Sequence, residues 1–386
     1  MTGSGPLAGL IVVDLTRALA GPHAGMMLGD LGARVIKVEQ PQVGDDSRGW
    51  GPPFVAGEST YFLSANRNKE SVTLDLKRSE DKAVLERLVA RADVVLENFR
   101  PGTLERLGFG FDRIHAINSR VVQLSISGFG HDGPEGGRAG YDQIAQGEAG
   151  LMSLTGSGPD DPQRVGVPIA DLLAGIYGAY GVLAALLDRE RSGKGQLVRT
   201  SLLAGIVGVH AFEGTRWTVA SEVGRAQGNH HPSIAPYGYF NCRDGGILIS
   251  VGSELLWRQF APLVSIDPAD LRWASNTDRV LNRDELILAI ERALASRDRE
   301  HLLKVFNTAG IPVGRVRSMS EVYEWEQTRS QGLVVGVDHP TLGPIDLPGP
   351  PLRFFDSKGE ETTGRDHTPP PLLGQHDAIV REWLER

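Results

Sequence analysis

Leu10-Ile-Val-Val-Asp-Leu-Thr-Arg-Ala-Leu-Ala-Gly-Pro-His-Ala-Gly-Met-Met-Leu28, followed shortly by Arg34-Val-Ile-Lys-Val-Glu39, is the stretch on which the fold class turns. Two short runs of branched apolar residues, Leu10–Leu15 and Arg34–Glu39, read as strands. Between them Gly21-Pro22 starts a helix that packs through Ala24–Leu28. The pattern is a β-α-β unit, whose crossover is expected to be right-handed. The turn Arg17–Pro22 lacks the G-x-G-x-x-G spacing of a dinucleotide site. The topology of a nucleotide-type sheet is therefore expected without its usual phosphate fingerprint.

Working outward, further strands are predicted at Ser71–Leu76, Val94–Glu97 and Val121–Ser127. Helices are predicted at Ser79–Arg91 and Thr103–Leu107. Strands alternating with helices argue for an α/β fold with a mostly parallel sheet covered on both faces. Ligands on such sheets bind beyond the carboxyl ends of the strands. Asp14–Ala20, Asn98–Arg100 and Gly128–Asp132 should therefore lie together. An apolar helix rich in Ala and Gly follows over Val167–Leu187, then a strand at Gln196–Ser201 and a second apolar helix at Leu202–Thr218. Ser192–Gly195 lacks most of a phosphate loop and reads as a turn. Near Ala226 the character changes to a hairpin (Tyr237–Asn241 with Gly246–Val251) and helices at Arg283–Ala295 and Arg299–Ala309. The expected division is a large domain over 1–225, a small α+β domain over 226–318, and a return over 319–386. In that last part a helix near Glu321 precedes a proline-rich tail laid over another surface.

Composition narrows the function. The chain of 386 residues carries a net charge of −8, which argues against a nucleic-acid partner. Its single cysteine, Cys242, can form neither an intrachain disulfide nor a multi-cysteine metal site, which suits a reducing cytoplasm. Met1–Gly9 shows no secretory signal. The apolar run at Leu172–Leu187 is short for a membrane span and reads as a core helix. C-x-x-C, H-E-x-x-H and G-x-S-x-G are all absent, and the adjacent His230 and His231 make a poor metal pair.

What remains is a set of separated pieces. They are Arg17-Ala-Leu-Ala-Gly-Pro22, Leu31-Gly-Ala-Arg-Val-Ile-Lys-Val-Glu39, Asn68–Ser71, Glu97-Asn-Phe-Arg-Pro-Gly102 with Arg106, Gly140-Tyr-Asp142, and Ala170-Asp171. Asp171 opens the apolar helix. It can be a simple N-cap, or a carboxylate held among apolar residues for chemistry.

Taken together these pieces resemble the class III CoA-transferases, of the formyl-CoA and carnitine CoA-transferase type, over about residues 6–380. The resemblance implies an interlocked homodimer, each chain with a Rossmann-like parallel-sheet large domain and a small α+β domain. It makes Asp171 the nucleophile that carries CoA between an acyl-CoA thioester and a free carboxylic acid. The implied intermediates are an aspartyl–acyl anhydride and an aspartyl-CoA thioester. CoA and acyl-CoA enter as substrates, with no permanent cofactor or metal. The implied CoA contacts are Ala18, Leu19, Leu74, Lys77, Asn98, Phe99, Arg100, Arg106, Arg138, Ala139, Gly140 and Tyr141. Lys77, Arg100 and Arg106 are suited to phosphates. Arg17 and Arg48 are candidates for the free carboxylate of a dicarboxylic substrate.

Two departures stand out. Gln40 occupies a position where the family often has an arginine, and Leu19 replaces the glutamine that shapes the oxalate site of formyl-CoA transferase. The related α-methylacyl-CoA racemases carry a histidine where this chain has Tyr141. A tyrosine is a poor base near neutrality, so racemization is the disfavoured alternative.

Overall fold

The computed structural model describes residues 5–364 and 366–386. The first four residues of the segment read for a secretory signal lie outside these. The chain divides into two compact units. The first runs to Leu151 and adds Val165–Glu222 and Glu326–Arg386; the second holds Met152–Arg164 and Val223–Trp325.

The first unit is built on six parallel strands: β1 (Ile11–Asp14), β2 (Arg34–Glu39), β3 (Lys69–Thr73), β4 (Val94–Glu97), β5 (Val122–Ser127) and β6 (Leu197–Ser201). Their order is β3-β2-β1-β4-β5-β6, a doubly wound sheet with its switch point between β1 and β4. Successive side chains of a strand point to opposite faces, and both faces are covered. Val12, Val35, Val94 and Leu124 pack on one side with α1 (Ala20–Asp30) and α4 (Ile169–Ser192). Val13, Ile36, Val72 and Val95 pack on the other with α2 (Ser79–Arg91) and the terminal helix α5 (Asp377–Glu385). Here α3 is Asp142–Glu148. The strand and helix bounds at Arg34–Glu39, Ser79–Arg91, Val94–Glu97 and Thr103–Leu107 are those expected from sequence.

The differences have physical reasons. The third strand lies at Lys69–Thr73, earlier than expected, because its charged and polar residues bond to buried partners. The predicted helix over Leu202–Thr218 is two, Leu202–Val207 and Ala211–Ala220, broken where Ala211 takes φ +48°. The tail is more than a covering: Val334–His339 and Gly343–Pro348 form a hairpin. Beyond it α5 places Val380 and Leu384 in the core, while Asp377 accepts from Thr73 N and Thr73 Oγ1.

The second unit carries the expected hairpin, Tyr237–Cys242 with Gly245–Ser250, extended by Val313–Gly314 and packed on Arg283–Leu294 and Arg299–Thr308. Residues 152–164, assigned above to the large domain, belong with this unit. Ala226 N donates to Ser153 O, and Gly228 N to Gly156 O.

Among the described residues α4 is one helix long and apolar enough to cross a membrane. Here it lies against the sheet and α1, as the core-helix reading expects. Its glycines allow the close approach: a Cβ on Gly175 would stand 2.6 Å from Ala20 O, and one on Gly178 2.8 Å from a Leu124 methyl. Gly to Ala inside a helix normally gains about 1 kcal/mol. Gly175→Ala should instead destabilise by about 1–3 kcal/mol, because a backbone oxygen cannot move aside. Urea unfolding measures the sign.

Candidate active site

The loops after β1, β4 and β5 meet at the carboxyl edge of the sheet. Asn98 fastens the first two: its Oδ1 accepts from Arg17 N at 2.9 Å and its Nδ2 donates to Arg17 O at 2.7 Å. Gly128 fits against the backbone of Gly140, a Cβ there standing 2.9 Å from Gly140 N. Together they border a cleft of about 430 Å³ that holds Ala18, Trp50, Tyr61, Asn98, Tyr141 and Asp171. A second cleft of about 260 Å³ holds Val38, Gln40, Leu74, Leu76, Lys77 and Thr103. Arg17 and Phe99 line both, with the guanidinium 5.2 Å from the ring centre.

Asp171 is the third residue of α4, and the helix has no side-chain cap of its own. The N-cap reading of Asp171 therefore gives way: the capping carboxylate is Asp142, the first residue of α3. Asp142 Oδ1 accepts from Ala170 N at 2.8 Å and lies 3.4 Å from Asp171 N, and its Oδ2 accepts from Gln146 Nε2 at 2.7 Å. Burial, and then the charge of Asp142, push the Asp171 carboxyl up to about 7. Tyr61 borders the same cleft and stacks edge-on with Trp50, ring centres 4.9 Å apart. Burial and the charges of Asp171, Asp142 and Asp45 raise its hydroxyl to about 12, so it is a donor at neutral pH.

The turn after β1 rests on buried charge. Ala18 has φ +67°, a left-handed conformation that strains a non-glycine residue. Its N–H donates to Asp45 Oδ1 at 2.9 Å. Asp45 pairs with Lys37 at 2.8 Å, both side chains fully buried, and Lys37 Nζ also donates to Thr16 O. Burial pushes the Asp45 carboxyl up, but the Lys37 ammonium, with the Ser47 and Ala18 N–H donors, outweighs it and holds the group below its ordinary range. Beside them Lys69 pairs with Asp14 at 2.9 Å, and burial lowers its ammonium to about 8.

The sequence-derived residues divide accordingly. Ala18, Asn98, Phe99, Arg100, Arg138, Ala139, Gly140 and Tyr141 border the cleft of Asp171. Leu74 and Lys77 border the other cleft, as does Gln40. Arg106 is exposed beside it and donates to Thr103 Oγ1. Leu19 is buried beneath its turn, outside both linings. Arg48 is also outside both: its guanidinium binds Glu39 at 2.7 and 2.8 Å and Pro371 O, and lies over Phe62. It is committed to the scaffold, which corrects its reading as a substrate group. Arg17 keeps its place in the cleft, 3.7 Å from Asp46.

Trp50, Tyr61 and the capping role of Asp142 were not read from sequence. Trp50 lies in a polar stretch rich in Gly and Pro and Tyr61 in the short helix Thr60–Leu63, and in neither does a periodicity mark a side chain as inward. The Gly-Tyr-Asp signal was noted for Tyr141 alone.

The model of CoA-transferase family III matches residues 7–377. The chain belongs to that family. The transferase is 40% identical over 382 residues to the succinyl-CoA:glutarate CoA-transferase of Mus musculus, covering 98% of this chain and 86% of the relative. It is 38% identical over 386 residues to the acetyl-CoA:oxalate CoA-transferase of Acetobacter aceti, covering 98% and 95%. A crystal structure of a CAIB/BAIF family protein from Brucella suis superposes with a TM-score of 0.86 at 38% identity, covering 99% of this chain and all of that one.

In this transferase, Asp142→Asn keeps an oxygen for Ala170 N while removing the charge beside Asp171. Removing a negative neighbour eases ionisation, so the Asp171 carboxyl should titrate below about 7 in the variant, though burial keeps it above the ordinary range. Carbon NMR of labelled aspartate reads the shift. The acid limb of kcat/KM should move to lower pH with it.

Proposed function

We propose that the enzyme exchanges CoA between short dicarboxylic acids, with Asp171 as the covalent carrier. The observation that carries this reading is the desolvated Asp171 carboxyl, which faces the cleft bordered by Ala18, Asn98 and Tyr141. A carboxylate stripped of water is a stronger nucleophile than a solvated one, and its ionised form is available from neutral pH upward.

An Asp171 oxygen attacks the thioester carbonyl, the C–S bond breaks, and CoA leaves as the thiolate. The thiolate attacks the Asp171 carbonyl of the resulting anhydride and frees the donor acid. The acceptor carboxylate then attacks the aspartyl-CoA thioester and expels the thiolate again. The thiolate takes the acyl group from the new anhydride and restores Asp171. Each step keeps an activated acyl bond, and no net proton moves. Ala18 N already serves Asp45, so the oxyanion donors are sought at the backbone near Gly140 and at the Tyr61 hydroxyl.

CoA is long and divided in character, as the clefts are. The smaller cleft, with Leu74, Leu76 and the exposed Lys77, suits the nucleotide end. The larger suits the pantetheine and acyl groups, the chain passing along Arg17 and Phe99, which line both clefts. Arg17 can take the distal carboxylate of a dicarboxylic substrate. The relatives named above act on succinyl-CoA with glutarate and on oxalate, which supports an acceptor with two carboxylates.

Asp171→Asn should fold, bind CoA and transfer nothing. Wild-type enzyme with acyl-CoA should yield a hydroxamate at Asp171 with hydroxylamine, and a reduced aspartyl side chain with borohydride, both visible by peptide mass spectrometry. Labelling of Asp142 instead would overturn the assignment. In an acceptor panel, Arg17→Ala should lose about 1.5–3 kcal/mol in kcat/KM for a C4–C5 dicarboxylate and much less for the matching monocarboxylate.

The resemblance to class III transferases also implies the interlocked homodimer, and the surface supports one. Ile176, Tyr180 and Leu187 on α4, and Phe212, Trp217 and Val219 on Ala211–Ala220, leave large apolar side chains exposed on both helices. A second copy is the proposed cover. Light scattering should give twice the 41.7 kDa chain mass, and a monomer at micromolar concentration would refute the dimer.

A further inference from the structure

Glu97 is part of the Glu-Asn-Phe-Arg-Pro-Gly segment, yet the transfer mechanism leaves it unused. It ends β4 and is buried, with 6% of its surface exposed. Its Oε2 accepts from Phe99 N at 2.9 Å, which fixes the turn carrying Asn98, Phe99 and Arg100. Its Oε1 accepts a short hydrogen bond from Ser125 Oγ on β5. Ser125 Oγ lies 2.6 Å from His131 Nε2, and His131 Nδ1 lies 3.4 Å from Ser127 Oγ, which accepts from Gly130 N. The turn after β4 and the loop after β5 both border the Asp171 cleft. One carboxyl thus ties them together.

The proton count closes in two ways. With Glu97 ionised, the Ser125 hydroxyl donates to it, His131 Nε2–H donates to Ser125, and bare Nδ1 accepts from the Ser127 hydroxyl. With Glu97 protonated, its O–H donates to Ser125, Ser125 donates to bare Nε2, and Nδ1–H donates to Ser127. In both states each of these groups has a partner, and Oε2 still accepts from Phe99 N. The chain gains one proton, reverses direction and changes the His131 tautomer, with no heavy atom displaced.

We propose that Glu97, Ser125 and His131 form a reversible proton relay in which Glu97 is a positioning residue. The relay holds the 97–100 turn in either protonation state and lets Glu97 shed its charge as anionic CoA arrives. The inference rests on the reading of this cleft as the CoA site. Burial supports it by raising the Glu97 carboxyl to about 7 and lowering His131, so the imidazole stays neutral there. Other charges facing the pair are Glu105 from Thr103–Leu107, Arg199 from β6 and Asp132 from the loop; Glu105 favours the protonated carboxyl and Arg199 opposes it.

The test uses full-length Asp171→Asn protein, in which Asp171 cannot titrate. Calorimetry of CoA binding at pH 7, in two buffers of different ionisation enthalpy, reads protons taken up on binding. The double variant Asp171→Asn/Glu97→Gln gives the same measurement without the carboxyl, and the difference removes the contribution of CoA itself. Uptake present in the single variant and lost in the double is the expected result. Equal uptake in both overturns the relay. Absence of CoA binding in the single variant overturns the proposed function instead. If the glutamine variant does not fold, Asp171→Asn/Ser125→Ala keeps the carboxyl and removes a hydrogen bond that lowers its pKa, so the uptake maximum should move to higher pH. An unmoved maximum would also overturn the relay.

Discussion

A hydrogen bond of 2.8 Å from Ala170 N to Asp142 Oδ1 is the interaction on which the site depends. The first N–H groups of an α-helix lack partners within it. α4 meets that need with a carboxylate from another helix rather than from its own cap. The arrangement fastens the start of α3 to the start of α4 and brings a negative charge beside Asp171. A self-capping Asp171 would spend its oxygens on the backbone and keep a low pKa. Borrowing the cap from Asp142 leaves the Asp171 oxygens free and desolvated.

The same economy of buried charge runs under the opposite wall. Two ion pairs, Lys37–Asp45 and Lys69–Asp14, join the middle of β2 to the loop after it and the start of β3 to the end of β1, with no exposed side-chain surface. Buried pairs add little net stability over an apolar core, but losing one partner costs about 3–5 kcal/mol because the other charge is stranded. Their value here is geometric. Asp45 takes the Ala18 N–H and holds a turn that an alanine would not adopt unaided. Asn98 then locks that turn to the end of β4. The cleft wall is thereby set before any substrate enters, which is how preorganised dipoles act without a reorganisation cost.

These two walls meet where the sheet order reverses, between β1 and β4. The glycine-rich phosphate turn of dinucleotide sheets is replaced by a turn whose N–H groups are turned inward to Asn98 and Asp45. Under the proposed function, a CoA phosphate would be met by side chains on the rim, such as Lys77, rather than by a nest of backbone amides. The crevice and the absence of the fingerprint are in this sense one fact.

Much of this was legible in the sequence. The separated motifs pointed to Asp171 only through the family resemblance they carry, while branched apolar runs separated by helical periods marked the parallel strands and the loops at their carboxyl edge. Local pattern suffices there because strand burial and helix packing each leave a periodic mark. Trp50 and Tyr61 left none, since Trp50 lies in an irregular segment and Tyr61 in a single helical turn, Thr60–Leu63, too short to show a period. Arg48 looked free because its partner Glu39 is distant in chemical role though near in sequence, and its place over Phe62 is visible only in the folded chain. Whether Asp171 caps its helix was undecidable from Ala170-Asp171 alone. The competing cap lies twenty-nine residues earlier, and a hydrogen bond between segments that distant is a property of the tertiary structure alone.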